Sequence, residues 1–261
     1  MHQSPREHGI ARTRWRLQDV GRALRWLTDY TDAGIYKVLK RLGFSHKRAL
    51  YFIRSPDPDY RAKWLRILRA YQEAWCHPQQ VVLLFQDEFT YYRKADLRQR
   101  WLRQGGSTRH AHTPGANTKA RITATLNALT GQVLYLQRST VGREALAQFY
   151  AMIRAAYPHA TCIYLVQDNW PVHRHPDVWQ AVEQHDLTPL FLPTYASWLN
   201  PIEKLWRWLR QDVIHDHRHS DDFKSLRKQA ASWLDQFDHG SHKLLHYVGI
   251  LTEDELGLYP Y

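Results

Sequence analysis

The chain has 261 residues, long enough for one large domain or two smaller ones around a buried core. Its two cysteines, Cys76 and Cys162, form no spaced pair, which argues against a disulfide framework or a thiolate zinc site and fits a reducing compartment. No apolar run approaches the roughly 20 residues of a membrane helix, and the start, MHQSPREHG, lacks the apolar centre of a signal peptide, so a cytoplasmic protein without a membrane partner is expected.

The formal charge is +11 and is unevenly placed. Residues 1–75 hold sixteen Lys/Arg against seven Asp/Glu, and the rest is nearly balanced. A basic block of this kind suits a segment that neutralises phosphates, although a solvated basic surface has the same composition. Within it, Leu17, Val20, Leu24 and Leu27 predict one helix. Ile35, Val38, Leu39 and Leu42 predict a second, capped by Thr31 or Asp32 and ended by Gly43. The pair resembles a helix-turn-helix whose second helix presents Tyr36, Lys37, Lys40 and Arg41, a face suited to the major groove of double-stranded DNA. Helix pairs with no role on DNA look the same.

The prolines of SPDPD, residues 55–59, break the chain before a helix whose stripe is Tyr60, Trp64, Leu68, Tyr71 and Trp75, a packing face by its period. VVLLFQDE, residues 81–88, is then a strand buried on both faces that ends on an acid, Asp87. RITATLNA and QVLYLQRS flank Leu129-Thr130-Gly131 as a β-hairpin. A helix over about 143–156 leads to a second apolar strand, CIYLVQDN, ending on Asp168. Another helix, about 176–184, precedes the short strand LTPLFLP. The sum is an α/β fold, a mixed sheet flanked by helices on both faces and preceded by the small helical segment. The expected divisions are 1–54 for the helix-turn-helix, 55–78 for a linker helix, 79–216 for the sheet domain and 217–261 for a helical tail in which Phe223 to Phe237 make a packing helix.

LNPIEKLWRWLR, residues 199–210, carries a third acid. Asn200 is a suitable cap, Pro201 suits the first helical position, and Ile202, Leu205, Trp206 and Leu209 form one apolar face. Glu203 then lies in the first turn, where it either reaches back to a backbone amide as a capping box or swings over the crevice at the strand ends. Three carboxylates held close repel one another unless a cation intervenes. An all-oxygen set favours magnesium or manganese, and beside a basic segment the substrate indicated is a nucleic-acid phosphodiester.

QDE at 86–88, QDNWPVH at 167–173 and LPTYASWLNPIEKLW at 192–206, with 34 residues between Asp168 and Glu203, resemble the signature blocks of mariner-superfamily DDE transposases in their bacterial insertion-sequence branch. The helix-turn-helix, the WLRQGG segment at 101–106 and the hairpin stand where that family has them. The resemblance implies an RNase H-like catalytic fold with Asp87, Asp168 and Glu203 as metal ligands for two Mg²⁺ or Mn²⁺ ions, Asp168 bridging them. It further implies cleavage at element ends, joining into a TA target, and a homodimer assembled on DNA. By the same resemblance Asn169 and His173 orient the attacking group or contact the scissile phosphate, with a structural role at the helix start as the alternative; Asn200 is expected to be a cap that indirectly aims Glu203. Glu88 is expected to face away from the site. Lys119 and Arg121 are expected to contact the DNA backbone or to protect a sheet edge.

The chain departs from the family in Trp170 and Trp198, and in fitting only one helical unit into residues 12–50, as a truncated copy, a downstream frame or a compact branch would. His215, His217 and His219 are expected at the surface or on phosphate, with a zinc site as the alternative. A nuclease without strand joining and a DNA-binding remnant without catalysis are the competing functions.

Overall fold

A computed structural model describes residues 4–46, 54–99, 101–106, 109–110 and 112–250. The chain divides into two compact units, Met1–Ile53 and Arg54–Tyr261.

In the first unit, helix α1 (Leu17–Ala23) is shorter than the apolar spacing predicts. Leu24 turns to extended backbone, and the chain resumes as a 3₁₀ turn, Arg25–Leu27. The break buries Leu27 completely and leaves Leu24 39% exposed. Helix α2 (Asp32–Arg41) is capped by Thr31, whose side chain accepts from the Gly34 amide at 3.2 Å. Val20, Leu27 and Ile35 make the small core, and Gly21 permits the close approach, since a Cβ there would stand 3.0 Å from Ile35. Tyr36, Lys37, Lys40 and Arg41 are all exposed, with Lys40 over the Tyr36 ring at 6.0 Å.

The second unit begins with α3 (Tyr60–Cys76), whose buried side is Ile67, Ala70 and Ala74. The aromatic stripe therefore flanks the contact instead of filling it, and Trp64 and Trp75 stay about two-fifths exposed, because small residues let the helix lie closer to the sheet. Among the described residues the sheet has five strands: β1 (Val81–Tyr92), β2 (Lys119–Asn127), β3 (Val133–Arg138), β4 (Cys162–Gln167) and β5 (Leu187–Phe191). Their order is β3-β2-β1-β4-β5, with an antiparallel meander on one side and parallel β4 and β5 on the other. Helices α4 (Arg143–Ala156) and α5 (Pro176–Gln184) cover the face built on Val82, Leu84, Ile163 and Leu165. Helices α3, α6 (Ile202–Leu209), α7 (Phe223–Asp235) and α8 (His242–Val248) contribute to the core over the other face, built on Leu83, Phe85 and Val166. This is the mixed, two-sided α/β architecture the pattern predicts.

β1 does not end at Asp87 as its sequence suggests, but runs five residues further. What ends there is one of its two neighbours. The parallel pairing to β4 runs from Val81 opposite Cys162 to Phe85 opposite Val166, whereas the antiparallel pairing to β2 continues to Tyr92. The crevice opens where β4 stops while β1 continues. β2 lies between β1 and β3 at Arg121, which pairs with Arg138, so edge protection does not explain Arg121; Lys119 lies two residues beyond the last β3 pair. The tail contributes α8, capped by Ser241 and ended by Gly249 at φ +80°, with Leu244 and Val248 in the core; residues 251–261 of that tail lie outside the described residues.

Candidate active site

Continuing the β1–β4 register by two residues sets Asp87 beside Asp168, and the strand alternation sends Asp87 toward the α6 face with Leu83 and Phe85. The Trp206 indole N–H donates to Asp87 Oδ2 at 2.9 Å, and the same ring stacks on Phe89 at 5.2 Å. Burial first, then the charges of Glu203 and Glu88, push the Asp87 carboxyl up to about 8. Glu203 is also raised, by burial foremost, with Asp168 adding repulsion and Arg210 opposing it. Each acid thus feels at least one of the others.

Glu203 makes no capping box: the first turn of α6 has no side-chain cap. Asn200 instead donates from Nδ2 to the Gln86 carbonyl at 2.9 Å, tying the start of α6 to the residue before Asp87. The expected cap is therefore corrected to a cross-link, because a buried strand carbonyl on the crevice rim needs a donor.

Asp168 is half exposed and accepts from the Trp170 amide at 2.9 Å. His173, 1% exposed, sets Nε2 3.4 Å from Asp168 Oδ1 and 3.6 Å from Glu88 Oε2. Burial pulls the imidazole down, but the bonds to Asp168 and Glu88 outweigh it and raise its pKa to about 9. Burial likewise opposes ionisation of Asp168, yet His173 and the Trp170 amide hold its carboxyl below the usual range. Asn169 spends both ends of its amide structurally, donating to the Leu192 carbonyl and accepting from Arg174, each at 2.7 Å.

Glu88 does face away from Asp87, but into a built environment. Its side chain is 4% exposed and accepts at 3.2 Å from Gln86 Nε2 and from the Thr123 hydroxyl, in addition to facing His173. Behind His173, the Tyr150 hydroxyl lies 3.4 Å from Nδ1 and donates to Gln167 Oε1 at 3.2 Å. Of this network the sequence singled out His173, and Glu88 only as an acid facing away; the roles of Gln86, Thr123, Tyr150 and Gln167 were not foreseen. The period of two was the available signal, since it places Glu88 with Val82, Leu84 and Gln86 on the α4 face.

Arg121 packs its guanidinium 4.4 Å from the centre of the Trp170 ring, which in turn meets His173 edge-on at 5.4 Å. Lys119 is exposed at the far end of β2. The alternating histidines are partly structural: His217 is 7% exposed and accepts from the His219 amide, and His215 lies 3.5 Å from Asp96. Among the described residues no group of three His, Cys, Asp or Glu side chains is arranged to close round one ion, at the histidines or at the acids.

The sequence profile of the DDE superfamily endonucleases matches residues 82–227, more than half of the chain. The chain belongs to that family. Within it the likeness is to the mariner and IS630 type. An insertion element IS630 uncharacterized 39 kDa protein from Shigella sonnei is 24% identical over 229 residues, covering 86% of this chain and 65% of that protein. The chain thus spans somewhat less than two thirds of that relative's length. The Mos1 transposase paired-end complex with the left transposon end superposes with a TM-score of 0.59 at 15% identity, covering 92% of this chain and 79% of that one. The Mos1 mariner paired-end complex with Mn gives 0.62 at 14%, covering 90% and 72%. These structures establish the fold. A winged helix-turn-helix profile matches residues 11–68.

Proposed function

We propose that the protein is a DNA transposase that cuts phosphodiester bonds at the ends of its element and joins them to target DNA, with Asp87, Asp168 and Glu203 holding the divalent metal. The observation that carries this is Asp87: a carboxyl buried and repelled by two neighbouring acids until its pKa reaches about 8 is a group in need of a cation. The donor set is all carboxylate, as magnesium or manganese requires, and such ions complete their shells with water and substrate phosphate. The family membership supports the assignment, as does the solution of Mos1 paired-end complexes with Mn and with Mg. Divalent ions held there would make a hydroxyl nucleophilic at neutral pH and neutralise charge gathering on the phosphate.

The chain's own residues prepare that chemistry. Trp206 fixes the orientation of Asp87, and Asn200 keeps Glu203 against the same rim. His173 and the Trp170 amide orient Asp168, which would help hold the divalent metal. The basic first unit, with Tyr36, Lys37, Lys40 and Arg41 exposed on α2, binds the duplex at the element ends. Lys119 adds a contact to the DNA backbone. Joining into a TA target by a homodimer, each copy on one end, completes the proposal.

Incubation of the protein with a labelled duplex bearing the element's terminal repeat, in Mg²⁺, Mn²⁺ or EDTA, tests it. Cleavage and joining that need the metal and vanish in Asp168→Asn are expected. Cleavage without joining would reduce the protein to a nuclease, and end binding with neither would leave a DNA-binding protein.

A further inference from the structure

Arg121 feels the charge of Asp168 but makes no ion pair with it. It sits on β2, an interior strand, two residues from Thr123 and on the same sheet face as Glu88 and His173. No carboxylate among the described residues lies within ion-pair distance of it, and its Nε is buried with no hydrogen-bond partner. Yet its position is held, because the guanidinium carbon lies over the Trp170 indole, 4.4 Å from the ring centre, and that indole is itself braced edge-on by His173. Trp170 follows Asp168 by two residues and hands its amide to that carboxylate at 2.9 Å, so the stack is anchored to the crevice by the chain itself.

A long flexible cation in solvent keeps its charge hydrated. One that is half-buried, held over an indole and given no hydrogen-bond acceptor at its buried Nε has a donor fork the described residues do not fill, and an outside anion can fill it. A planar fork of donors beside a carboxylate crevice suits a tetrahedral anion, and a phosphodiester is the anion a basic DNA-acting protein meets. We infer that Arg121 is a phosphate-binding residue for the DNA strand entering the crevice at Asp168, and that Trp170 is the positioning residue that presents it. This rests on the proposal that the crevice receives DNA. It assigns to one arginine a fixed place beside Asp168, distinct from the exposed cations of α2 and from Lys119.

Binding of the end duplex by the full chain, measured in EDTA with single uncharged methylphosphonates placed in turn at the cleavage point and the phosphates flanking it, tests the inference. In the wild type, one such replacement should weaken binding about tenfold. Arg121→Ala should bind the unmodified duplex more weakly by the same factor, and that one replacement should then cost it nothing more. Trp170→Ala should behave like Arg121→Ala, and Trp170→Phe should restore the wild-type pattern at an unchanged melting temperature. Penalties that multiply in Arg121→Ala at every phosphate would overturn the inference, as would a wild type indifferent to all of them. A Trp170→Phe variant as impaired as Trp170→Ala would remove the positioning role. Absence of metal-dependent cleavage by the wild type would sink the transposase proposal while the binding comparison still decides Arg121.

Discussion

Asp87 and Glu88 are neighbours on one strand and carry the same charge, but the pleat sends them to opposite faces of the sheet. Glu88 enters a finished network of Gln86, Thr123 and His173. Asp87 meets the Glu88 amide and one indole N–H, which burial and two like charges outweigh. On the proposed function, the difference separates a structural acid from a functional one. A buried carboxylate supplied with donors is part of the fold, and one left repelled is held for something the chain does not contain.

Substitutions should therefore act with opposite signs at the two positions. Asp87→Asn should reduce cleavage by about a thousandfold or more, the several kcal/mol a metal contributes to such a step. It should also raise the melting temperature of the metal-free protein, because a repelled charge has gone. Glu88→Ala should destabilise the fold by about 3 kcal/mol, the cost of breaking a buried ion pair and stranding its partner, as read from chemical denaturation. A destabilised Asp87→Asn would erase the contrast.

The pH dependence sharpens the same comparison. A carboxyl raised from 3.8 to about 8 binds its proton more tightly when folded, so Asp87 costs the metal-free protein stability as pH rises through that window. His173, raised from 6.5 to about 9, gives stability that is complete below 6.5 and is lost as pH climbs to about 9. Melts at pH 5, 7 and 9 should show a steady decline, flattened at the lower end by Asp87→Asn and at the upper end by Glu88→Gln. Metal affinity should rise over the range in which Asp87 loses its proton.

Smaller effects are expected further out. Asn200→Ala frees the rim and should weaken Mn²⁺ binding about tenfold, the scale for residues that orient a metal ligand. Lys40→Ala on α2 should weaken duplex binding modestly for all sequences and lower the salt slope by about one, as titration across salt concentrations would show.

Much of this arrangement was legible in the sequence because it follows from local pattern. The apolar runs marked β1 and β4, the turn Leu129-Thr130-Gly131 marked the hairpin, and Ile202, Leu205, Trp206 and Leu209 marked the buried side of α6. What escaped depends on partners distant in the chain. That Asp87 lies within a strand is decided by where β4 stops, and that Asn200 ties instead of caps is decided by a carbonyl 114 residues away. The broken first helix and the exposed tryptophans of α3 likewise follow from the depth of a core whose other walls the local sequence does not contain.

The most direct test is Mn²⁺ binding to the full chain without DNA, followed by calorimetry or electron paramagnetic resonance in the wild type, Asp87→Asn and Glu88→Gln. The account predicts that Asp87→Asn abolishes the binding seen in the wild type and that Glu88→Gln retains it to within about tenfold. Equal binding by Asp87→Asn and the wild type, or loss in Glu88→Gln alone, would contradict the division of labour between the two faces.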